Sequence, residues 1–527
     1  MAESSRDISG LGLEELKALL VQALEEVARL KAENAELREE IARLKGLKGR
    51  PKLRPSGMEK ATEAPAKGSR WKGRGGAKRA KLSIDETRIV KPEAVPEDAR
   101  FKGYEDFVVQ DLVVKPWTVL FRRERWLMSS GETVVAALPA GAGGHFGPEL
   151  KRFILSQYHQ GQVTIPRLFT LLRDLGVSIS KRQIVRLLNE SQDTFLKEAG
   201  EVLRAGLSSA SWITVDDTGA RHKAKNGYCT HIGNDRFAFF ATTNSKSRLN
   251  FLELLRAGQT DYVINAAALD YMRDHNLPKT TVDLLTADAE RRFADRDAFM
   301  AHLERLGVTA LKVNPDPVQI VTEGALWGSI AAQGLIDGTV IVSDGAGQFR
   351  VADHALCWVH AERLIHKLDT FCEAHRKAKE RIRHRIWWLY ADLKAYRQAP
   401  AVRRAGELKR RFDRIFSTTT GFATLDRLLA RLYAQKNGLL AVLERPEIPL
   451  HTNGSENDIR CQVTRRKISS GTRSDQGRDC RDAFLALMKT CAKQSVRFWD
   501  YLGDRLNVPN AAPIPLLQEL VRKTAAV

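Results

Sequence analysis

The chain has 527 residues, which predicts about three or four domains, and carries a net charge of +20. It has no apolar run of about 18 residues and no basic-then-apolar start, so we expect neither a membrane-spanning helix nor a signal peptide, but a cytoplasmic protein. Its six cysteines form no C-x-x-C pair, which argues against a disulfide framework and a tetrahedral zinc site. The positive charge predicts a polyanionic partner, most simply nucleic acid, and hence association with the nucleoid.

Residues 1–48 are predicted to form a coiled-coil dimerisation helix, because residues 11–47 follow a heptad repeat. Asn34 at an a position, with glutamates at g and basic residues at e, favours a parallel dimer. The alternative is a single amphipathic helix packed on a domain. The predicted seams are Leu13, Leu20, Val27, Asn34 and Ile41 at a, and Leu16, Ala23, Leu30, Leu37 and Leu44 at d.

Residues 49–98 are rich in Lys, Arg, Gly, Pro and Ser, which predicts a flexible basic linker. It could be only a solvated linker, but the tryptophan among its charges favours contact with nucleic-acid phosphates. Residues 99–140 hold short apolar runs separated by charges and turn residues, which predict a small β-rich antiparallel module. The linker residues that we expect to bind DNA are Lys72, Arg74, Lys78 and Arg79.

Residues 141–195 are predicted to form a helix-turn-helix DNA-binding region. Helices are expected at 149–160, at 166–175 with Gly176 ending it, and at 181–189 with Ser180 as its cap. The side chains of the second helix of the pair that would enter a major groove are Lys181, Arg182, Gln183 and Arg186.

Residues 205–257 are predicted to begin a ribonuclease-H-like core. An apolar strand at 212–215 ends in Asp216 and Asp217, and a buried strand is a rigid place for metal-binding carboxylates. The alternative is that these acids only start a turn. Strands at 228–232 and 237–242, and then a helix at 248–257, would complete this first part.

Residues 258–337 are mixed and mostly helical, which we interpret as an insertion. Residues 338–368 should resume the core, since a strand at 339–342 delivers Asp344 to a glycine-rich turn. Cys357 and His360 have the spacing of half a zinc site, but no second half is apparent, so we predict a structural role for both.

Residues 369–450 are predicted as a helical insertion. Its helix at 381–396 has cations around aromatic residues, which is typical of an amphipathic helix; the alternative is a DNA-contacting one. Residues 451–505 would close the core with a helix that carries Glu456 in its first turn, capped by Asn453 or Ser455. A closing helix at 483–502 and a tail at 506–527 follow, and the expected DNA-binding residues here are Arg465, Arg466 and Lys467.

Three carboxylates at strand ends or a helix start are what a two-metal site needs. Mg²⁺ favours carboxylate oxygens, and two such ions can activate an attacking hydroxyl and stabilise the leaving oxygen of a phosphodiester.

Four separated motifs, spread over about residues 145–505, resemble the DDE signature of the IS66 family of bacterial insertion-sequence transposases. They are VDDTGAR with Asp216, VIVSDGAGQF with Asp344, CWVHAERL, and IPLHTNGSENDIRCQVTRRK with Glu456. The N-terminal zipper and basic arm are also similar to those of the family.

The resemblance implies a multidomain α/β protein with a ribonuclease-H-like DDE core and helical insertions. It implies Mg²⁺-dependent cleavage and strand transfer at the element's terminal inverted repeats and in target DNA, with Mn²⁺ as a substitute ion. Asp216, Asp344 and Glu456 would be the catalytic metal ligands, with Asp217 as the fallback for the first. We expect a homodimer or higher homo-oligomer through 11–47, and no membrane partner.

The chain also departs from the family pattern. Residues 49–140 contain none of the cysteines of the zinc finger found in many members, which indicates a divergent subgroup without zinc. The 128 positions from Asp216 to Asp344 form a long spacing that an insertion at 258–337 would explain. The alternatives are a dimeric DNA-binding regulator derived from a transposase and another ribonuclease-H-like nuclease.

Overall fold

The structure is a computed structural model that describes residues 12–44, 84–92, 99–139, 144–311 and 313–525. Most of the basic linker, including Lys72, Arg74, Lys78 and Arg79, lies outside these residues. The described N-terminal segment is one helix, α1 (Leu13–Leu44), as the heptad pattern predicts. Leu20 and Val27 of the predicted seam are exposed along this helix, and the dimer stays a prediction.

Residues 99–139 differ from the predicted β-rich module. In this range the structure has two short strands, β1 (Arg125–Leu127) and β2 (Thr133–Val135), paired as one antiparallel hairpin. Both strands are exposed on every residue. The other apolar runs, at 107–109, 112–114 and 117–121, form no strand here and are likewise exposed. Apolar composition without a partner surface is therefore not enough to form a sheet in this segment.

Four helices follow: α2 (Pro148–His159), α3 (Ile165–Asp174), α4 (Lys181–Asn189) and α5 (Asp193–Ser209). The predicted helices match α2, α3 and α4 to within a residue at each end. Proline begins α3 in its first turn, and Gly176 adopts a left-handed φ of 85° just after it. Ser180 caps α4 by accepting a hydrogen bond from the Gln183 amide, as predicted.

The central sheet is mixed, with five strands in the order β5 (Ala238–Thr243), β4 (Lys225–Gly233), β3 (Trp212–His222), β8 (Val340–Ser343) and β9 (His354–Leu356). Its first part is the antiparallel series β3 (Trp212–His222), β4 (Lys225–Gly233) and β5 (Ala238–Thr243), followed by helix α6 (Arg248–Leu255). These overlap the predicted strands and helix. However, β3 runs seven residues beyond Val215, β4 begins three residues before the predicted strand, and α6 ends two residues before the predicted helix end.

The predicted insertion is mostly helical. In chain order it contains β6 (Tyr262–Val263), α7 (Ala266–Asp274), α8 (Lys279–Ala287), β7 (Arg292–Phe293), α9 (Arg296–Arg305) and α10 (Pro317–Ala332). Its apolar side chains share one hydrophobic core with α2–α6 and with the sheet face that carries Ile213 and Val215.

The second part of the sheet consists of β8 (Val340–Ser343) and β9 (His354–Leu356), both added in parallel. Then come α11 (Trp358–His366), α12 (Glu373–Gln398), α13 (Val402–Phe416), α14 (Ala423–Ala434) and α15 (Lys436–Leu440). These helices form a second core against Val340 and Val342, on the opposite face of the sheet. Helices therefore cover both faces of the sheet, which is an α/β layer arrangement.

The chain ends with α16 (Asn453–Ser469), α17 (Asp475–Lys493), α18 (Phe498–Arg505) and α19 (Leu517–Lys523). The predicted closing helix at 483–502 is thus two helices. The predicted tail contains α19, whose Leu517 and Val521 are fully buried in the first core.

Glu198 of α5 holds the last two helices, α18 and α19, on the first core. Its carboxylate accepts hydrogen bonds from Arg505, from the Tyr501 hydroxyl and from the Leu517 amide. Burial alone would raise the pKa of Glu198, but these hydrogen bonds and the Arg505 charge outweigh it and lower the pKa below its usual 4.5.

All six cysteines are unpaired. No helix within the described ranges is both long enough and apolar enough to cross a bilayer.

Candidate active site

Asp216 and Asp344 lie beside each other because of how β3 and β8 pair. The two strands are parallel, with Trp212 opposite Val340 and Thr214 opposite Val342. When this register is extended by two residues, Asp216 of β3 lies opposite Asp344, the residue that follows the end of β8. The Asp344 charge accordingly contributes to raising the pKa of Asp216.

The prediction that β3 ends at the two aspartates, or turns there, is wrong. The strand continues to His222, with Asp216 opposite His231 and Asp217 opposite Thr230 of β4. The pairing with the long strand β4 keeps these residues extended. Successive side chains on a strand point to opposite faces, so the two carboxylates are separated by the sheet.

Asp217 is already neutralised on its face of the sheet. One carboxylate oxygen lies 2.5 Å from the Lys246 ammonium, and the other accepts a hydrogen bond of 2.8 Å from Gln348. Asp216 has no ion-pair partner among the described residues and accepts only the Asp217 amide, at 2.8 Å. Burial, followed by the charge of Asp217, raises the pKa of Asp216 to about 7. A carboxyl group whose pKa is shifted by burial and by a neighbouring charge is a candidate functional group.

A tight turn presents Asp344 at the end of β8. Gly345 has a φ of 92°, a left-handed conformation that favours glycine, and Asp344 accepts a hydrogen bond of 2.9 Å from the Ala346 amide. Ser343 lies beneath the turn, where its hydroxyl accepts from the Gly345 amide at 3.0 Å and contacts His354 at 2.7 Å.

Arg248 of α6 supports the same turn from the other side. Its guanidinium donates to the Gly347 carbonyl at 3.2 Å and to the buried carboxylate of Glu323 at 3.3 Å. Glu323 belongs to α10, so the insertion contributes to holding the turn that follows Asp344.

Glu456 enters from α16, which packs along β3. Its neighbour Ser455 is fully buried and donates a hydrogen bond of 2.6 Å to the Thr214 hydroxyl, two residues before Asp216. Since Thr214 and Asp216 share a face of the sheet, this contact brings the start of α16 to the face that carries Asp216.

The predicted cap of this helix is wrong. The cap position is Thr452, without a side-chain cap bond, and Asn453 and Ser455 lie inside the helix. The Ser455 hydroxyl is used for the contact with Thr214 instead.

His360 of α11 lies beside Glu456. Its Nε2 is 3.6 Å from Glu456 Oε1, and Arg363 of the same helix reaches the same oxygen at 3.6 Å. Burial would lower the pKa of His360, but the neighbouring Cys357 thiol and the charges of Glu456 and Asp344 outweigh burial and raise the pKa. The charge of His360 in turn acts on Asp216, opposing the rise of its pKa.

Cys357, at the N-cap of α11, and His360, in its first turn, influence each other's protonation. Burial raises the pKa of the Cys357 thiol, but the imidazole of His360 outweighs burial and lowers it. The contact of His360 with Glu456, which is 96 residues away in the chain, was not apparent in the sequence. The signals available were its place three residues after Cys357 and its presence in the CWVHAERL motif.

The acids fit a hard divalent cation by their chemistry. In the described ranges no group of three or more acidic, His or Cys side chains converges as a preformed metal cluster. The donors nevertheless suit Mg²⁺, because all three are carboxylates, and Glu456 Oε1 is buried without a hydrogen-bond donor. The cationic side chains near this oxygen, His360 and Arg363, each lie 3.6 Å away, beyond hydrogen-bond distance.

The residues predicted to bind DNA are placed differently from one another. In α4, Arg182 is exposed, Lys181 lies over the Phe169 ring, Arg186 pairs with Glu190, and Gln183 accepts from the Ser180 amide within the cap. In α16, Lys467 is exposed and Arg466 is half-buried, donating to the Gly219 carbonyl.

Arg465 is buried, because its guanidinium stacks on Tyr158 at 3.8 Å from the ring centroid and donates to that residue's carbonyl. In this structure Arg465 joins α16 to α2. Its predicted DNA contact stays a prediction.

Comparisons with known proteins cover this site. A family model described as Transposase IS66 family matches residues 143–260 and 327–479, which include Asp216, Asp344 and Glu456. The unmatched interval between the two segments lies inside the predicted insertion at 258–337. An uncharacterized protein, y4jO, of Sinorhizobium fredii (strain NBRC 101917 / NGR234) is 49% identical over 315 residues, which span 60% of this chain and 98% of that protein.

Proposed function

The chain belongs to the IS66 family of transposases, and we propose on that premise that it cuts and joins DNA at the ends of an insertion sequence. The observation that carries the proposal is that the parallel register of β3 and β8 sets Asp216 level with Asp344, while Ser455 holds the start of α16, and with it Glu456, on the same face of the sheet. Family membership supports a transposase-like activity, and the site geometry supports these residues as its catalytic acids.

The sheet supports a ribonuclease-H-like core. Three antiparallel strands lead into α6, and β8 then adds in parallel beside β3, so that the first strand is central and carries the first acid. The insertion at 258–337 interrupts this order between α6 and β8.

We assign Asp216, Asp344 and Glu456 as the residues that would hold Mg²⁺, or Mn²⁺ in its place. When bound, the ions would activate the attacking hydroxyl and stabilise the leaving oxygen of the phosphodiester. The chain's own part is to keep the carboxylates in position. Ser455 and Thr214 fix α16 on β3, and His360 with Arg363 orients the Glu456 carboxylate.

DNA recognition is assigned to the elements that precede the core. The pair α3–α4 would contact the terminal inverted repeat, with Lys181, Arg182 and Arg186 near the groove, and the basic linker would neutralise phosphates. The exposed residues of α1 support a parallel dimer that would hold two ends together.

The test is strand cleavage and joining on a labelled duplex that bears the element's own end, with Mg²⁺. The intact protein is compared with Asp216→Asn, Asp344→Asn and Glu456→Gln, and with Asp217→Asn as a matched control on the same strand. We expect product from the intact protein and the control, and loss of at least about 1,000-fold in the other three, with binding of the end retained.

Two outcomes would contradict the proposal. Tight binding without cleavage in every protein would leave a DNA-binding regulator derived from a transposase. Cleavage without joining of ends would leave a nuclease.

A further inference from the structure

One face of α12 carries cations and a tryptophan toward solvent. Its members recur at helical spacing, with all five side chains exposed, and Trp388 is 68% exposed. We call this face the α12 stripe: Lys377, Arg381, His384, Arg385 and Trp388.

The cations of the α12 stripe are not used within the fold. The acids of the same helix already have partners: Glu373 pairs with Arg376, Glu380 with Arg383, and Asp392 with Arg404 and Arg411. In the described part of the chain, no acid lies within ion-pair distance of Lys377, Arg381 or Arg385. Cations left unpaired on one face favour a polyanion as the partner.

The two adjacent tryptophans of α12 have different roles. Trp387 is half-buried, and its indole N–H donates to Glu362 of α11 at 3.3 Å. Trp388 points away from the core and has no aromatic or cationic contact among the described residues. A large exposed aromatic ring among cations offers a platform on which a base can stack.

The stripe is joined firmly to the candidate active site. Arg383 donates to Glu362 at 2.7 Å, and this pair is largely buried. Glu362 lies two residues from His360 on α11, so the pair of Arg383 and Glu362 ties α12 to the helix that carries His360.

We propose that the α12 stripe binds DNA that contains unpaired nucleotides, with phosphates on Lys377, Arg381 and Arg385 and one base stacked on Trp388. The proposal rests on the proposed function, because strand cleavage produces ends whose bases can leave the duplex stack. A second copy of the same face is disfavoured, since it would bring like charges together.

The cations are tested by the salt dependence of binding. Arg381→Ala/Arg385→Ala is compared with Lys279→Ala/Arg296→Ala, which removes two exposed cations from the insertion. Both are placed in the Asp344→Asn background, so that the DNA stays intact, and the probe is a duplex end with a single-stranded overhang. The α12 variant should bind more weakly, and its slope of log K against log salt should fall by about 1.4 to 1.8.

The control variant should keep the parent slope. If both variants change equally, the effect is one of overall charge, and if neither changes, the stripe does not contact phosphates; either result overturns the proposal.

Trp388 is tested separately, because its exposure makes misfolding of a variant a small concern. Trp388→Ala should weaken binding of the overhang by about 5- to 150-fold and leave a blunt duplex within about twofold. Trp388→Phe should retain most of the affinity. A 2-aminopurine in the overhang should be quenched by the parent and not by Trp388→Ala.

Equal effects on blunt and overhang DNA, or none on either, would overturn the stacking role. Light scattering of Trp388→Ala tests whether a second copy of the chain binds the α12 stripe instead of DNA. Loss of an oligomer with unchanged DNA binding would show that it does. The readouts separate the two proposals. If the α12 variants bind DNA more weakly as expected but the intact protein never cleaves DNA, only the proposed function is contradicted. Cleavage by the intact protein, with normal binding by the variants, contradicts only the role of the α12 stripe.

Discussion

Replacing Thr214 by valine should displace Glu456 without changing the affinity of the protein for DNA. Thr214 is 4% exposed, and its hydroxyl accepts a hydrogen bond from Ser455 at 2.6 Å and donates one to the Gly233 carbonyl at 3.1 Å. Valine has nearly the same shape, so no cavity forms. It leaves the fully buried Ser455 hydroxyl without its acceptor, at a cost of about 1–3 kcal/mol.

That free energy is lost at a contact that holds the start of α16 on β3. A displacement of Glu456 by about 1 Å can lower a positioned reaction about 100-fold. We therefore expect Thr214→Val to cleave about 10- to 100-fold more slowly at saturating DNA, with the Kd for the element end unchanged. The assay is single-turnover cleavage of the labelled end, with thermal unfolding measured on the same samples.

Thr339→Val is the matched control for this substitution. Thr339 is 2% exposed and donates one hydrogen bond of 2.7 Å to the Ala210 carbonyl, at the end of β8 opposite Asp344. It should lose about 1 kcal/mol of local stability and cleave at the parent rate. Normal cleavage by Thr214→Val, or equal slowing in both variants, would refute the reasoning.

Three further predictions concern Asp217, Glu198 and Arg248. Asp217→Asn should keep cleavage within about fivefold of the parent, since its partner is a surface lysine; a loss as large as that of Asp216→Asn would make Asp217 a ligand. Glu198→Gln should reduce amide exchange protection of residues 517–523 by about 100-fold. Because the folded pKa of Glu198 is lowered, its stabilisation is present above about pH 4.5 and declines as the pH falls, so unchanged protection at pH 7 and pH 4 contradicts this role. Arg248→Ala should slow cleavage at unchanged Kd by freeing the turn after the second acid, with partial recovery in Arg248→Lys; no slowing would exclude this support.

Local signals determined the helices and the order of the motifs. The helix pair at 165–189 is encoded by a proline, a glycine and a capping serine, each acting on neighbours within four residues. Four of the five strands of the central sheet could be predicted for a similar reason, because short β-branched and aromatic runs favour extended backbone wherever they occur. The short strand β9 was not predicted. The four ordered motifs were sufficient to indicate the family, which the comparison confirms.

Only the tertiary structure decided which groups meet. The difference between Asp216 and Asp217 depends on the register of β3 with β4 and β8, and strand register is set by partners distant in sequence. The hydroxyl that fixes α16 belongs to a serine 241 residues from its acceptor, so a prediction from neighbours assigned it to a cap instead. Residues 107–121 are apolar but lack a partner surface, so the composition that predicted strands there was not enough. In each case the deciding free energy comes from contacts between distant segments, which no local pattern contains.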